Sequence, residues 1–261
     1  MQDVKPAVGL ARTLMDDGAI LIGASKLGGA PDLPADVVWP EWDGKPLTFM
    51  AQINLTELDL SPFNELLPST GVLAFFYEST SQPWGDTPPE GAARVIYSND
   101  SSTPLQRRQH PVMEIDKWYT VKALPAARIT PKPIWTCRCY DYPDNPPYLS
   151  ETQSENYNRL YSSVYAAIQP KHMMLGHAYP QQTDVRIYAQ ALLWRFNHPS
   201  TKVDYDAAKA AMGQWVTLLQ IDTDDDLGMM WGDVGLIYYM FREQDLRALK
   251  FDQHWLVLQC G

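Results

Sequence analysis

The strongest constraint on the fold is a self-similarity between the two ends of the chain, because motifs repeated in the same order build related structural units. Leu27-Gly28-Gly29-Ala30 is echoed by Leu175-Gly176-His177-Ala178, and Gln52-Ile53-Asn54 by Gln220-Ile221-Asp222. Gly71-Val72-Leu73-Ala74-Phe75-Phe76-Tyr77 returns as Gly235-Leu236-Ile237-Tyr238-Tyr239-Met240-Phe241. A glutamine closing an apolar run is expected to satisfy backbone groups where strands meet, since a buried amide without partners costs about 1–3 kcal/mol. Gln52 and Gln220 therefore read as structural. The chain is expected to form one compact domain over 1–261, with copies at about 19–97 and 172–260 and a connector at about 98–171.

Local patterns fill in this frame. Val4, Ala7, Val8, Ala11, Leu14 and Met15 fall at helical spacing, with Asp3 to cap and Pro6 in the first turn, which predicts an N-terminal helix. Aromatic and β-branched runs predict strands at Ala19–Ile22, Leu47–Leu55, Val72–Tyr77, Ala93–Tyr97 and Trp118–Leu124, then at Trp215–Asp222, Gly235–Phe241 and Trp255–Cys260. Proline spacing in the middle forbids long helices up to residue 150. Thr152-x-x-Glu155 looks like a capping box for a helix over about 153–168, and further helices are expected at 185–196 and 205–212. The resulting fold class is α+β: two related β-rich units of mostly antiparallel strands, flanked by an N-terminal helix and a helical insertion in the second half.

Charge and cysteine usage narrow the function classes. The 31 acids against 21 bases give a net charge of −10, which argues against affinity for phosphate backbones or anionic lipid. Neither nucleic acid nor membrane is expected as a partner, and no apolar run reaches the length of a spanning helix. The apolar stretch after residue 18 is too short for a secretory signal core, and three cysteines, Cys137, Cys139 and Cys260, suit a reducing compartment, so the expected location is the cytoplasm. Cys137-Arg138-Cys139 offers a single thiolate pair, where structural zinc usually shows two. No metal or other cofactor is expected.

Several of these residues also carry a family resemblance. Ser25-Lys26-Leu27-Gly28-Gly29-x-Pro31-x-Leu33-Pro34, Trp39-Pro40, Phe49-x-x-Gln52-Ile53-Asn54 and Leu67-Pro68-x-x-Gly71 are followed by His172-x-x-Leu175-Gly176, Leu218-Leu219-Gln220-Ile221-Asp222, Trp231-Gly232-Asp233-x-Gly235 and Leu258-Gln259-Cys260. In this order they resemble the bacterial YwqG-like domain of unknown function across nearly the whole chain. The resemblance implies an α+β fold with two related β-rich parts and no established catalytic residues. Because such domains are found near polymorphic-toxin or secretion loci, it also hints at an immunity role.

The sharpest chemical feature is an acidic, base-free segment from Ala210 to Phe241 that contains Asp222, Asp224, Asp225, Asp226 and Asp233. Asp222, Asp224, Asp226 and Asp233 occupy positions 1, 3, 5 and 12 of a calcium loop, but Leu227 replaces the glycine that the sharp turn needs, and strands flank it. A solvated β-connection is the plainer reading. Trp231 either anchors a partner or fills the seam between the units. No G-x-S-x-G or H-E-x-x-H motif is present, and the histidines are scattered.

Two functions follow. The first is a non-enzymatic, immunity-type protein that grips a cognate toxin domain through Asp222, Asp224, Asp225, Asp226, Trp231 and Asp233, by charge complementarity. The second is a small-ligand-binding protein or enzyme with a cleft between the units, lined by Lys26, Gly28, Gly29, His177 and Trp231. There Lys26 is a candidate anion ligand, although a solvated lysine is the commoner outcome.

Overall fold

The computed structural model describes residues 4–63, 66–84, 91–99, 102–117, 119–139 and 150–261. Ten strands form one sheet: β1 (Val4–Leu14), β2 (Lys26–Leu27), β3 (Thr48–Asn54), β4 (Val72–Tyr77), β5 (Ala93–Ser98), β6 (Ala127–Cys137), β7 (Met173–Met174), β8 (Trp215–Asp222), β9 (Leu236–Arg242) and β10 (His254–Gln259). Their order across the sheet is β10-β9-β8-β7-β1-β6-β2-β3-β4-β5, and every pairing is antiparallel. Four helices, α1 (Glu151–Ala166), α2 (Val185–Asn197), α3 (Tyr205–Ala211) and the short α4 (Glu243–Arg247), all lie in the second half.

The α+β expectation is therefore corrected: the protein is mostly β, and no helix stands at the N-terminus among the described residues. Residues 4–14 form a central strand instead. Ala7, Val8, Gly9 and Leu10 are all buried, because β1 is covered on both faces, and a strand buried on both faces reads as a continuous apolar run that mimics helical spacing. Asp3, expected to cap that helix, lies outside the described residues. The strand expected at Ala19–Ile22 is also absent. A single 3-10 turn at Asp17–Ala19 takes its place, with Leu21 and Ile22 exposed.

Strand β6 pairs with β1 over its full length despite Pro131 and Pro133. The Ile129 N–H points away from β1 and donates to Ser25 O at 3.1 Å. Residues 131 and 133 share that orientation, so their missing N–H groups face an edge beyond the two-residue β2 and cost no ladder bond. Pro6 in β1 benefits in the same way beside the short β7. Of the strand expected at Trp118–Leu124, Trp118 lies outside the described residues, and the remainder contributes Thr120–Val121 to a small ladder with Met113–Glu114. The capping box of α1 is formed by Ser150 and Gln153, two residues before the expected pair.

The two ends of the sheet match register for register. Lys26 faces Gln52 and Leu27 faces Ala51, whereas Met173 faces Gln220 and Met174 faces Leu219. Both third strands carry a bulge at the same place, between Phe49 and Ala51 and between Thr217 and Leu219. Gln52 accepts from Asp32 N at 2.7 Å and donates to Ala24 O at 2.9 Å; Gln220 accepts from Tyr179 N at 2.8 Å and donates to Lys171 O at 2.8 Å. These pairings match Gly28 with Leu175 and Gly29 with Gly176, one residue away from the alignment suggested by sequence. All four adopt positive φ, at 60° and 71° in the first turn and 61° and 71° in the second. The halves then close on each other: matching residues Phe75 and Tyr239 stack edge-on with centroids 5.0 Å apart, and the Tyr239 hydroxyl donates to Phe76 O at 3.1 Å. The shared core lies between them, with Trp231 fully buried in it.

Candidate functional site

The two left-handed turns share a backbone frame and differ in what they enclose. In the first, a Cβ on Gly29 would lie 2.2 Å from Asp17 Oδ1, and in the second a Cβ on Gly176 would lie 2.5 Å from Thr136 Oγ1. Asp17 Oδ2 accepts from Ala30 N at 3.2 Å, and Thr136 Oγ1 accepts from His177 N at 2.8 Å. Ala30 and His177 are thus counterparts.

The first turn is closed by its own ions. Lys26, fully buried rather than solvated, donates to Asp17 Oδ1 at 2.8 Å and to Ala30 O. Arg107 donates through Nε to Asp32 Oδ1 at 2.6 Å, lies 3.2 Å from Asp17 Oδ2 and also donates to Ile20 O at 2.9 Å. Two cations meet two carboxylates. Desolvation lowers the Lys26 ammonium against the pull of Asp17, while bonds from Arg107, Gln52 and Gly23 overcome burial and hold the Asp32 carboxyl below its ordinary range.

Gly29 and Ala30 of the first turn border only a broad, shallow depression of about 800 Å³, whereas the second turn borders a recessed cavity of about 240 Å³. Its apolar wall includes Phe63, Leu66, Val185 and Trp215, and its polar wall Lys5, Arg138, His177, Asp184, Arg186 and Glu243. Asp184 caps the N-terminus of α2 and holds Arg186 through bonds of 2.9 and 2.5 Å, so these two charges satisfy each other. Glu243 is engaged by Arg247 at 2.8 Å. Arg138 reaches Asp184 only at 3.8 Å, and Lys5 makes no ion pair among the described residues. Among the described lining residues positive charge is therefore in excess, in a chain of net charge −10.

His177 is 8% exposed, and its Nε2 is buried without a hydrogen-bond partner among the described residues. Its backbone is clamped by Thr136 and by the Tyr165 hydroxyl, which donates to His177 O at 2.9 Å. Desolvation, then the nearby Lys5 and Arg186 cations, push the imidazole down to about 3, so it is neutral near pH 7 and offers one N–H and one lone pair. The backbone differs as well. Gly29 N donates to Leu124 O at 3.0 Å, whereas Gly176 N finds no acceptor among the described residues.

The residues singled out by sequence do not converge on one place. Asp222 and Asp224 are buried, Asp225, Asp226 and Asp233 are exposed, and Trp231 is buried with its indole N–H on Asp222 O at 3.1 Å. Asp224 receives Arg12 at 2.7 and 2.6 Å and His172 at 3.1 Å; these bonds outweigh burial and hold its carboxyl at about 2. His172 Nδ1 in turn accepts from Asp222 N at 3.1 Å. Among the described residues no group of three His, Cys, Asp or Glu side chains is placed to hold a metal ion. Lys26, Gly28 and Gly29 belong to the closed turn and His177 to the open one. Sequence reasoning missed Lys5 and Arg186 and weighed Arg138 only within the Cys137-Arg138-Cys139 thiolate pair; the three are distant in the chain, and the echo of the glycine turn pointed to the place where they meet.

No helix is long and apolar enough to cross a membrane among the described residues. A search of curated proteins gives no match. Residues 25–260 match the family model of a domain of unknown function, DUF1963, and the chain belongs to that family.

Proposed function

We propose that the protein is a small-molecule-binding module whose site is the cavity beneath the Leu175-Gly176 turn. The observation that carries this reading is the buried, unpartnered His177 Nε2 at the cavity wall. Buried polar atoms are nearly always hydrogen-bonded, and leaving one bare costs about 1–3 kcal/mol, a deficit that a ligand would remove. Support also comes from the closed counterpart turn, where the same frame holds no unpartnered side-chain group among the described residues. The matched registers favour reading the halves as copies of one unit, of which one kept an open site. The YwqG-like likeness is compatible with this placement within the family.

The protein-capture reading, with a toxin domain as partner, draws less support from the geometry. Three of its six residues, Asp222, Asp224 and Trp231, are occupied inside the protein.

Titration with phenol and imidazole, followed by the His177 ring resonances and by melting temperature, tests the proposal. Expected are a shift of the His177 signals and a higher melting temperature, worth about 2.7 kcal/mol at one hundred times Kd, with both effects lost in His177→Phe. Unchanged His177 signals and flat melting with both probes would contradict it.

A further inference from the structure

Resting on the reading of this cavity as a ligand site, we infer that its ligand is a small oxyanion, a carboxylate or phosphoryl group carried on a compact apolar body. The cavity has room for about eight water-sized groups, given roughly 30 Å³ for each in the liquid. That volume suits a single-ring acid or a small phosphate ester. Within it, charges divide into satisfied and unsatisfied sets. Among the described residues Arg186 is spent on Asp184 and Arg247 on Glu243, which leaves the Arg138 guanidinium with a 3.8 Å contact to Asp184 and the Lys5 ammonium, on the exposed rim of the cavity, with no ion pair. Two cations at the rim of a cavity with a desolvated neutral histidine in its wall create a local positive potential that favours an anion.

The remaining polar groups are donors of the right kind. The neutral His177 ring can present its N–H to an oxyanion oxygen, and the Gly176 N–H has no acceptor among the described residues. The first turn of α2, at Val185 and Arg186, also borders the cavity with the positive end of the helix dipole. Arg138 supplies a planar fork suited to two oxygens at once. Phe63, Leu66 and Trp215 complete the opposite wall and select for an apolar body beside the charge. In the closed turn the equivalent demand is already met, because Asp17 and Asp32 supply the carboxylates internally. The inferred ligand does in the second turn what these two side chains do in the first.

Calorimetric titration of the whole chain with benzoate, inorganic phosphate and benzyl alcohol separates the possibilities. Benzoate or phosphate is expected to bind at least about tenfold more tightly than the uncharged alcohol, the increment of one charge-assisted contact. Arg138→Gln is expected to remove that preference without weakening benzyl alcohol, and Arg138→Lys to restore part of it. Benzoate binding without phosphate identifies a carboxylate, and the reverse a phosphoryl group; either supports the inference. Equal binding of benzoate and benzyl alcohol, unaffected by Arg138→Gln, would overturn the oxyanion while leaving the cavity as a ligand site. Binding of no probe, with His177 signals unmoved, would overturn both.

Discussion

The turns at residues 26–32 and 173–179 have the same left-handed backbone, the same glutamine clamp and the same bulged neighbour strand, yet one pairs its charges internally and the other leaves a histidine nitrogen bare at a recessed cavity. The difference lies in a few side chains. Where the first half has Lys26 and Asp17, the second has Met173 and Thr136, and Ala30 is answered by His177. The first frame compensates its charges internally; under the proposal above, a bound molecule would do so at the second.

The closed side is where disruption should cost most. Asp32→Ala leaves Arg107 and Lys26 with one carboxylate and strips acceptors from Gln52 and Gly23. Breaking a buried pair in this way is expected to cost about 3–5 kcal/mol in urea unfolding. A loss below about 1 kcal/mol would mean that the ion network does not hold the turn.

The shared frame is tested next by Gly29→Ala and Gly176→Ala. Each places a Cβ within 2.6 Å of a neighbour at a φ near 71°. Left-handed strain together with overpacking predicts a loss of about 2–4 kcal/mol for both variants. Markedly unequal losses would break the equivalence of the two turns.

The open side has its own pH signature. Since burial and neighbouring cations hold His177 at about 3 in the folded protein against an ordinary 6.5, the unfolded chain takes up a proton first as pH falls. Stability is therefore full above pH 6.5 and declines from there towards pH 3, by about 2 kcal/mol at pH 5. His177→Gln should remove that part of the slope, while Ala30, its counterpart, contributes none. The smallest effect is expected at the surface: Asp226→Asn loosens an exposed contact to Arg12 and should cost about 0.2–1 kcal/mol, shrinking further in high salt.

What sequence could and could not reveal follows from the physics of each part. Strands Val72–Tyr77 and Trp215–Asp222 were readable because aromatic and β-branched runs mark half or fully buried strands. Strand β1 was misread because its alanines and leucines, buried on both faces, carry no alternation. Strand β6 escaped because its prolines are tolerated only by virtue of which neighbours happen to be short, a tertiary fact. The acidic segment suggested an exposed patch, but Arg12, more than two hundred residues away, neutralises Asp224. Lys5, Arg138 and His177 meet only once β1, β6 and the second turn are assembled, so no local pattern announces the cavity they line.

The most direct measurement is a crystal structure of the protein soaked in benzoate, in which both turns are seen in one molecule under one condition. The account predicts ordered density for the carboxylate against His177 and Arg138 and none within residues 26–32. Density at neither turn, or at both alike, would contradict it.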